Sequence, residues 1–246
     1  MTIYITTVRG AAERLATAHA NASALAKGIR DALGKAAAFT DPNLSDQGLV
    51  AKRQELAQEF RDAARADYNN LAENVAWGRR TLAEHARENV QIPDEPAALI
   101  RAQQKWQQVE QRLNAGQDLP TIMRTADEVT ARAVAEFAPS WASAQYDRPE
   151  GLDGAVRAWL GETPSDASEW IQRAAYRRLA EVARDPNARE LFAAETAAER
   201  QAKMAQPWLT VSESLVEGRA ADFLGAAIAS QVAAQSAPSA AAPEAA

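Results

Sequence analysis

An all-α fold is predicted by three features of the chain. Ala, Leu, Glu, Gln and Arg dominate while β-branched residues are few, so most positions lose little conformational freedom on entering a helix. Apolar residues recur every three to four positions over stretches much longer than a strand. Clusters of Pro, Asp and Asn then punctuate the chain where such stretches stop. The core such a chain can build is thin, because 59 of the 246 residues are Ala whereas Leu, Ile, Val and Phe together number 43. Burial stabilises by roughly 25 cal/mol per Å², and a methyl group offers little area. Long helices packed closely together, or buried against other copies, use such residues best, so an elongated molecule is expected. Disorder would need a high net charge as well as few large apolar residues. Here 33 acidic residues oppose 27 basic ones, for a net charge of −6.

In chain order, Thr2, Tyr4 and Thr6 alternate with Ile3, Ile5 and Val8, a period of two that predicts a short N-terminal strand or arm. A first helix is expected from Ala11 to Ala38, with Leu15, Ala22, Leu25, Ile29 and Leu33 along one side. Asp41, Pro42, Asn43 and Ser45 are turn and capping residues. After them a long helix, about 44–90, carries Leu49, Leu56, Phe60, Leu71, Val75 and Leu82 on one edge. Leu49, Phe60, Leu71 and Leu82 stand eleven apart, as do Ala64, Val75 and Ala86, an interval that keeps a seam nearly straight. At 1.5 Å per residue the rod is roughly 60 Å long. Pro93 and Pro96 end it.

Beyond that break a C-terminal bundle of shorter helices is expected. Leu99, Ala102, Trp106, Val109 and Leu113 make one seam, and Ile122, Ala126, Val129, Ala133 and Phe137 a second, joined by a turn at Gly116 to Pro120. Pro139 and the run Asp147 to Gly151 mark an irregular stretch. Helices over Leu152–Leu160, Ser165–Arg184 and Asn187–Met204 follow. The last begins at Thr210, three residues before Glu213 as in a capping box, and passes through Leu215, Leu224, Ile228 and Val232. These limits divide the chain into an arm and rod (1–92), a bundle (93–234) and an Ala/Pro/Ser tail (235–246) expected to be disordered.

Few motifs carry chemistry. Without Cys there is no disulfide, thiolate metal site or Cys nucleophile. Neither His19 nor His85 has a Glu three residues before it, as helix-borne di-iron sites require. Gly28 to Ala36 departs from a phosphate loop in its spacing and lacks the metal-binding hydroxyl. The acidic run from Asp41 fails as a calcium loop because Lys52 stands where a Glu is needed. No metal, cofactor or small-molecule substrate is implied. Two basic clusters stand out, Arg79, Arg80 and Arg87, and Arg173, Arg177 and Arg178 followed by Arg184; within the second, Arg173, Arg177 and Arg184 form a stripe suited to a partner or to nucleic acid, although the net negative charge disfavours phosphate at long range.

The expected function is therefore structural and non-enzymatic: self-association, or assembly into a larger complex, through the rod edge and through Ile3 and Ile5 of the arm. In composition the chain resembles bacteriophage scaffold and virion assembly proteins, an analogy with no motif behind it. An adaptor or regulator binding nucleic acid or a protein partner through the Arg stripe is the alternative, followed by an enzyme with a carboxylate site. The first residues lack a basic segment followed by an apolar run, and no stretch approaches the roughly 20 apolar residues of a membrane span. A cytoplasmic site of synthesis, with a place in a virion open to it, is expected.

Overall fold

Where the alternation of Thr2 to Val8 predicts a strand, the chain is already helical. The computed structural model describes residues 2–147 and 163–235, and among these there are eight helices and no strand. Helix α1 (Thr2–Ala37) absorbs the arm. A lone strand leaves its N–H and C=O groups without partners, whereas a helix satisfies them within itself, and Val8 also falls in register with the helical face that follows. Val8, Leu15, Ala22, Ile29 and Ala36 are all buried, spaced at the seven-residue interval of a close helix–helix seam. Ala11, Ala18 and Ala26 bury beside them.

The turn before α2 (Asp46–Val90) is made by the residues expected there, but Ser45 and not Asp41 is the cap, and Pro42 lies in the turn and not at the first helical position. Asp41 accepts a hydrogen bond from the Asn43 N–H at 2.8 Å, and Ser45 Oγ accepts from Gly48 N–H at 3.2 Å. Farther along α2, Gly78 is a point of close approach to α1. A Cβ there would lie 3.0 Å from Leu15 Cγ and 3.2 Å from the Ala11 carbonyl oxygen. The missing side chain is what allows the two backbones to approach.

Two compact units divide the chain, and each is discontinuous in sequence. One comprises Met1–Val8 and Leu82–Thr196; the other comprises Arg9–Thr81 and Ala197–Ala246. Their limits fall inside helices, not in the Pro-rich loop that ends α2.

The first unit contains α3 (Pro96–Asn114), α4 (Leu119–Arg124), α5 (Glu128–Tyr146) and α6 (Pro164–Val182). Helix α5 is central and packs on α3 and α6. Val109, Ile122, Val134, Ile171, Leu179 and Phe192 supply buried bulk. Gly116, at φ +87°, closes α3. The Gln117 N–H reaches back to Arg112 O and the Gly116 N–H to Leu113 O, both at 3.0 Å, which is the paired bonding of a Schellman turn. The single helix expected from Ile122 to Phe137 is in fact two, α4 and α5. Asp127 separates them because its carboxylate accepts the Thr130 N–H at 2.8 Å and so starts a new helix. Pro139 does not interrupt the chain as expected but lies inside α5. The buried Ala135, Ala138 and Ala142 hold helix on both sides of it. The helix expected at Leu152–Leu160 and the stretch from Arg148 to Gly151 lie outside the described residues, as does the tail from Ser236 onward.

Helix α7 (Pro186–Val216) runs through Pro207 and does not end near Met204 as expected. Thr210 starts no helix; its hydroxyl donates to Gln206 O at 3.1 Å, one turn back. An apolar face continuous through Ala202, Ala205, Trp208, Leu209 and Val211 keeps the helix intact. Its true end is Gly218, at φ +75°, with Arg219 N–H bonded to Ser214 O at 2.7 Å. Asp222 then caps α8 (Phe223–Gln235) by accepting the Gly225 N–H at 2.8 Å.

Candidate functional site

Two places in the fold gather more than packing requires, one polar and one apolar. The polar one is the corner between α4 and α5. Lys105 Nζ of α3 lies 3.1 Å from Asp127 Oδ2. Arg178 of α6 donates from Nε to Ala126 O at 2.7 Å and from Nη1 to Glu181 at 2.6 Å. Glu128, at the first position of α5, accepts from Arg132 at 3.0 Å and from the Arg184 backbone N–H at 3.0 Å. Arg132 also donates to Asn89 O at the end of α2. A cleft of about 180 Å³ opens beside this corner, lined by Lys105, Arg112, Thr125, Asp127 and Thr130 among others.

The electrostatics of the cleft suit it to holding the chain together. Partial burial pulls the Asp127 carboxyl upward, but hydrogen bonds from Thr130 and the nearby Lys105 ammonium outweigh that, so its pKa falls to about 2. A group titrating so far below neutrality is a poor proton donor or acceptor. Arg112 Nε is bonded to Gln117 Oε1 at 2.7 Å. Lys105, Asp127 and Arg112 are thus each engaged by a neighbouring side chain. Among the described residues, no three His, Asp or Glu side chains gather as ligands for a cation would.

The apolar place is α8. Its first residue is anchored: the Phe223 ring lies 6.2 Å from that of Trp208, edge to face, and the Arg30 guanidinium sits 4.9 Å over it. Lys27 lies 5.9 Å over the Trp208 ring. Ala226 and Ser230 face inward and are buried. Leu224, Ile228 and Val232 are instead 72%, 55% and 55% exposed. No residue of α8 is charged. The sequence marks these three as apolar positions but not as an outward face. An uncharged helix has no solvated side from which to tell inside from outside, and that lack of charge was the available signal.

The edge of α2 is unevenly covered. Val75 and Leu82 are buried, at 6% and 0% exposure, and Leu49, Leu56 and Leu71 are half-buried. Phe60 is exposed, and so are Leu44 and Val50 near the start of the helix. Ile5 is half-buried and Ile3 lies in the first turn of α1. The Arg stripe is not a single helix face. Arg173 pairs with Glu169 across one turn at 3.8 Å, Arg177 is exposed, and Arg184 lies past the end of α6 at Val182.

The fold is thus that of an all-helical protein whose most exposed large apolar side chains, among the described residues, belong to one short helix. No helix among them is long and apolar enough to cross a membrane. No protein-family model matches the chain, and comparison with curated proteins and with solved structures returns no match.

Proposed function

We propose that this chain is a self-associating helical structural protein that acts as a component of a homo-oligomer or larger assembly. The observation that supports this reading is α8, whose Leu224, Ile228 and Val232 stand in solvent on a helix without a charge. Large apolar side chains in a row are unusual on a surface that meets only water. Fully burying a Leu, Ile or Val contributes roughly 1.5–3 kcal/mol. Three from each of two copies therefore exceed the lower estimates of the cost of association, about 4 kcal/mol. The exposed Phe60, Leu44 and Val50 of the α2 region add surface of the same kind. A finer form of the reading, a scaffold-like component of a bacteriophage virion, rests on composition alone.

Light scattering coupled to size-exclusion chromatography, run from low to high micromolar concentration, tests the reading. The expected mass rises with concentration toward a multiple of 26.5 kDa. A mass of one chain at every concentration overturns it.

A further inference from the structure

Resting on that reading, we infer that the occupant of the α8 face is α8 of a second copy, lying antiparallel across a two-fold axis at Ile228. The spacing carries the inference first. Leu224, Ile228 and Val232 are four apart on either side of Ile228, so reversing one helix places Leu224 against the second copy's Val232 and Ile228 against its own equivalent. Such self-complementarity is what a two-fold contact demands. Rows of residues at four-residue spacing are also the ridges that interlock in the commonest helix–helix packing, and Ala227 and Ala229 beside Ile228 leave room for close approach.

Charge carries it second. The chain holds a net charge of −6, which opposes bringing two copies together over most surfaces. The thirteen residues of α8 add nothing to that opposition at the contact itself, because none is charged. The same fact disfavours other occupants. A helix that lies on a lipid surface carries Lys and Arg on its polar face, and α8 has neither. The chain's own residues 236–246 are Ala, Ser, Pro and one Glu, with no large apolar side chain to cover the stripe.

The absence of Cys makes the test direct. Single replacements Leu224→Cys, Ile228→Cys and Val232→Cys in the full chain, oxidised under mild conditions, report which positions meet, since a disulfide requires Cα atoms within roughly 4.4–6.8 Å. Fast self-linking is expected for Ile228→Cys only, together with cross-linking between differently tagged Leu224→Cys and Val232→Cys chains. Ile228→Glu should raise the dissociation constant at least about tenfold without changing helicity. Equal self-linking at all three positions means parallel helices and overturns the antiparallel arrangement. Self-association that survives Ile228→Glu overturns the α8 assignment while leaving the broader reading intact. A single-chain mass for the unaltered protein overturns both. Co-sedimentation of the unaltered monomer with anionic vesicles, without cross-linking, replaces the second copy by lipid.

Discussion

Helices α1 and α8 both carry a periodic apolar row, yet their rows meet opposite environments. On α1, Val8, Leu15, Ala22, Ile29 and Ala36 are buried, and Gly78 of α2 lets a second backbone come close to Leu15. On α8, the small Ala226 and Ser230 are buried and the large Leu224, Ile228 and Val232 point outward. The difference teaches that periodicity identifies a face but not its cover. For α1 the charged residues on the remaining surface already assign the apolar row to the interior. For α8 nothing in the sequence breaks the tie, and it is the Phe223 anchor against Trp208 and Arg30 that turns the helix.

Deleting the same side chain from the two helices gives the sharpest form of this comparison. Leu15→Ala removes a fully buried Leu and should lower stability by about 2–5 kcal/mol, read as a reduced urea midpoint. An effect no larger than that of a surface substitution would mean the α1 seam is not where stability resides. Gly78→Ala probes the same contact from the other side. Helix propensity alone favours Ala by about 1 kcal/mol, whereas crowding against Leu15 and the Ala11 carbonyl costs about 1–3 kcal/mol. The expected net is a loss of about 1 kcal/mol; a gain would show that α1 shifts freely away.

A polar corner supplies the next test, smaller and dependent on pH. Asp127→Ala removes the cap of α5 and the partner of Lys105, at a cost of about 1 kcal/mol. Because the folded carboxyl titrates near 2, below its usual 3.8, its contribution is complete above about pH 4 and is lost as pH falls toward 2. Urea midpoints measured through this window should therefore fall less steeply for Asp127→Ala than for the unaltered chain, and parallel curves would count against the assignment. The smallest effect belongs to α8. Leu224→Ala should change monomer stability by no more than about 0.5 kcal/mol, although it removes as many atoms as Leu15→Ala. A large loss would place Leu224 in a monomer core.

Much of the helical architecture was legible without coordinates. The turn chemistry at Asp41 to Ser45 and the end of α2 before Pro93 follow from residue types whose backbone preferences act locally. Three misreadings have one cause. Thr2 to Val8 reads as a strand, Pro139 as an interruption and Thr210 as a helix start when each is judged by its immediate neighbours. In the fold, each is overruled by burial: Val8 and Ala11 carry the N-terminal segment into the face of α1, while Ala135 and Ala142 flank Pro139 and Ala205 and Val211 flank Thr210. The break at Asp127 is hidden in the sequence for a related reason. The apolar spacing from Ile122 to Phe137 continues through it, and only the cap and the contacts from Lys105 and Arg178 reveal the corner.

By itself, the sequence determined that this protein is helical and which residues can form apolar rows, because propensity, capping and spacing act within a few turns of the chain. The tertiary structure alone decided where helices join across a Pro, where they divide at a capping Asp, and which rows stay in water. Those outcomes depend on what packs against a segment from far along the chain, and packing stabilises more than local preference does.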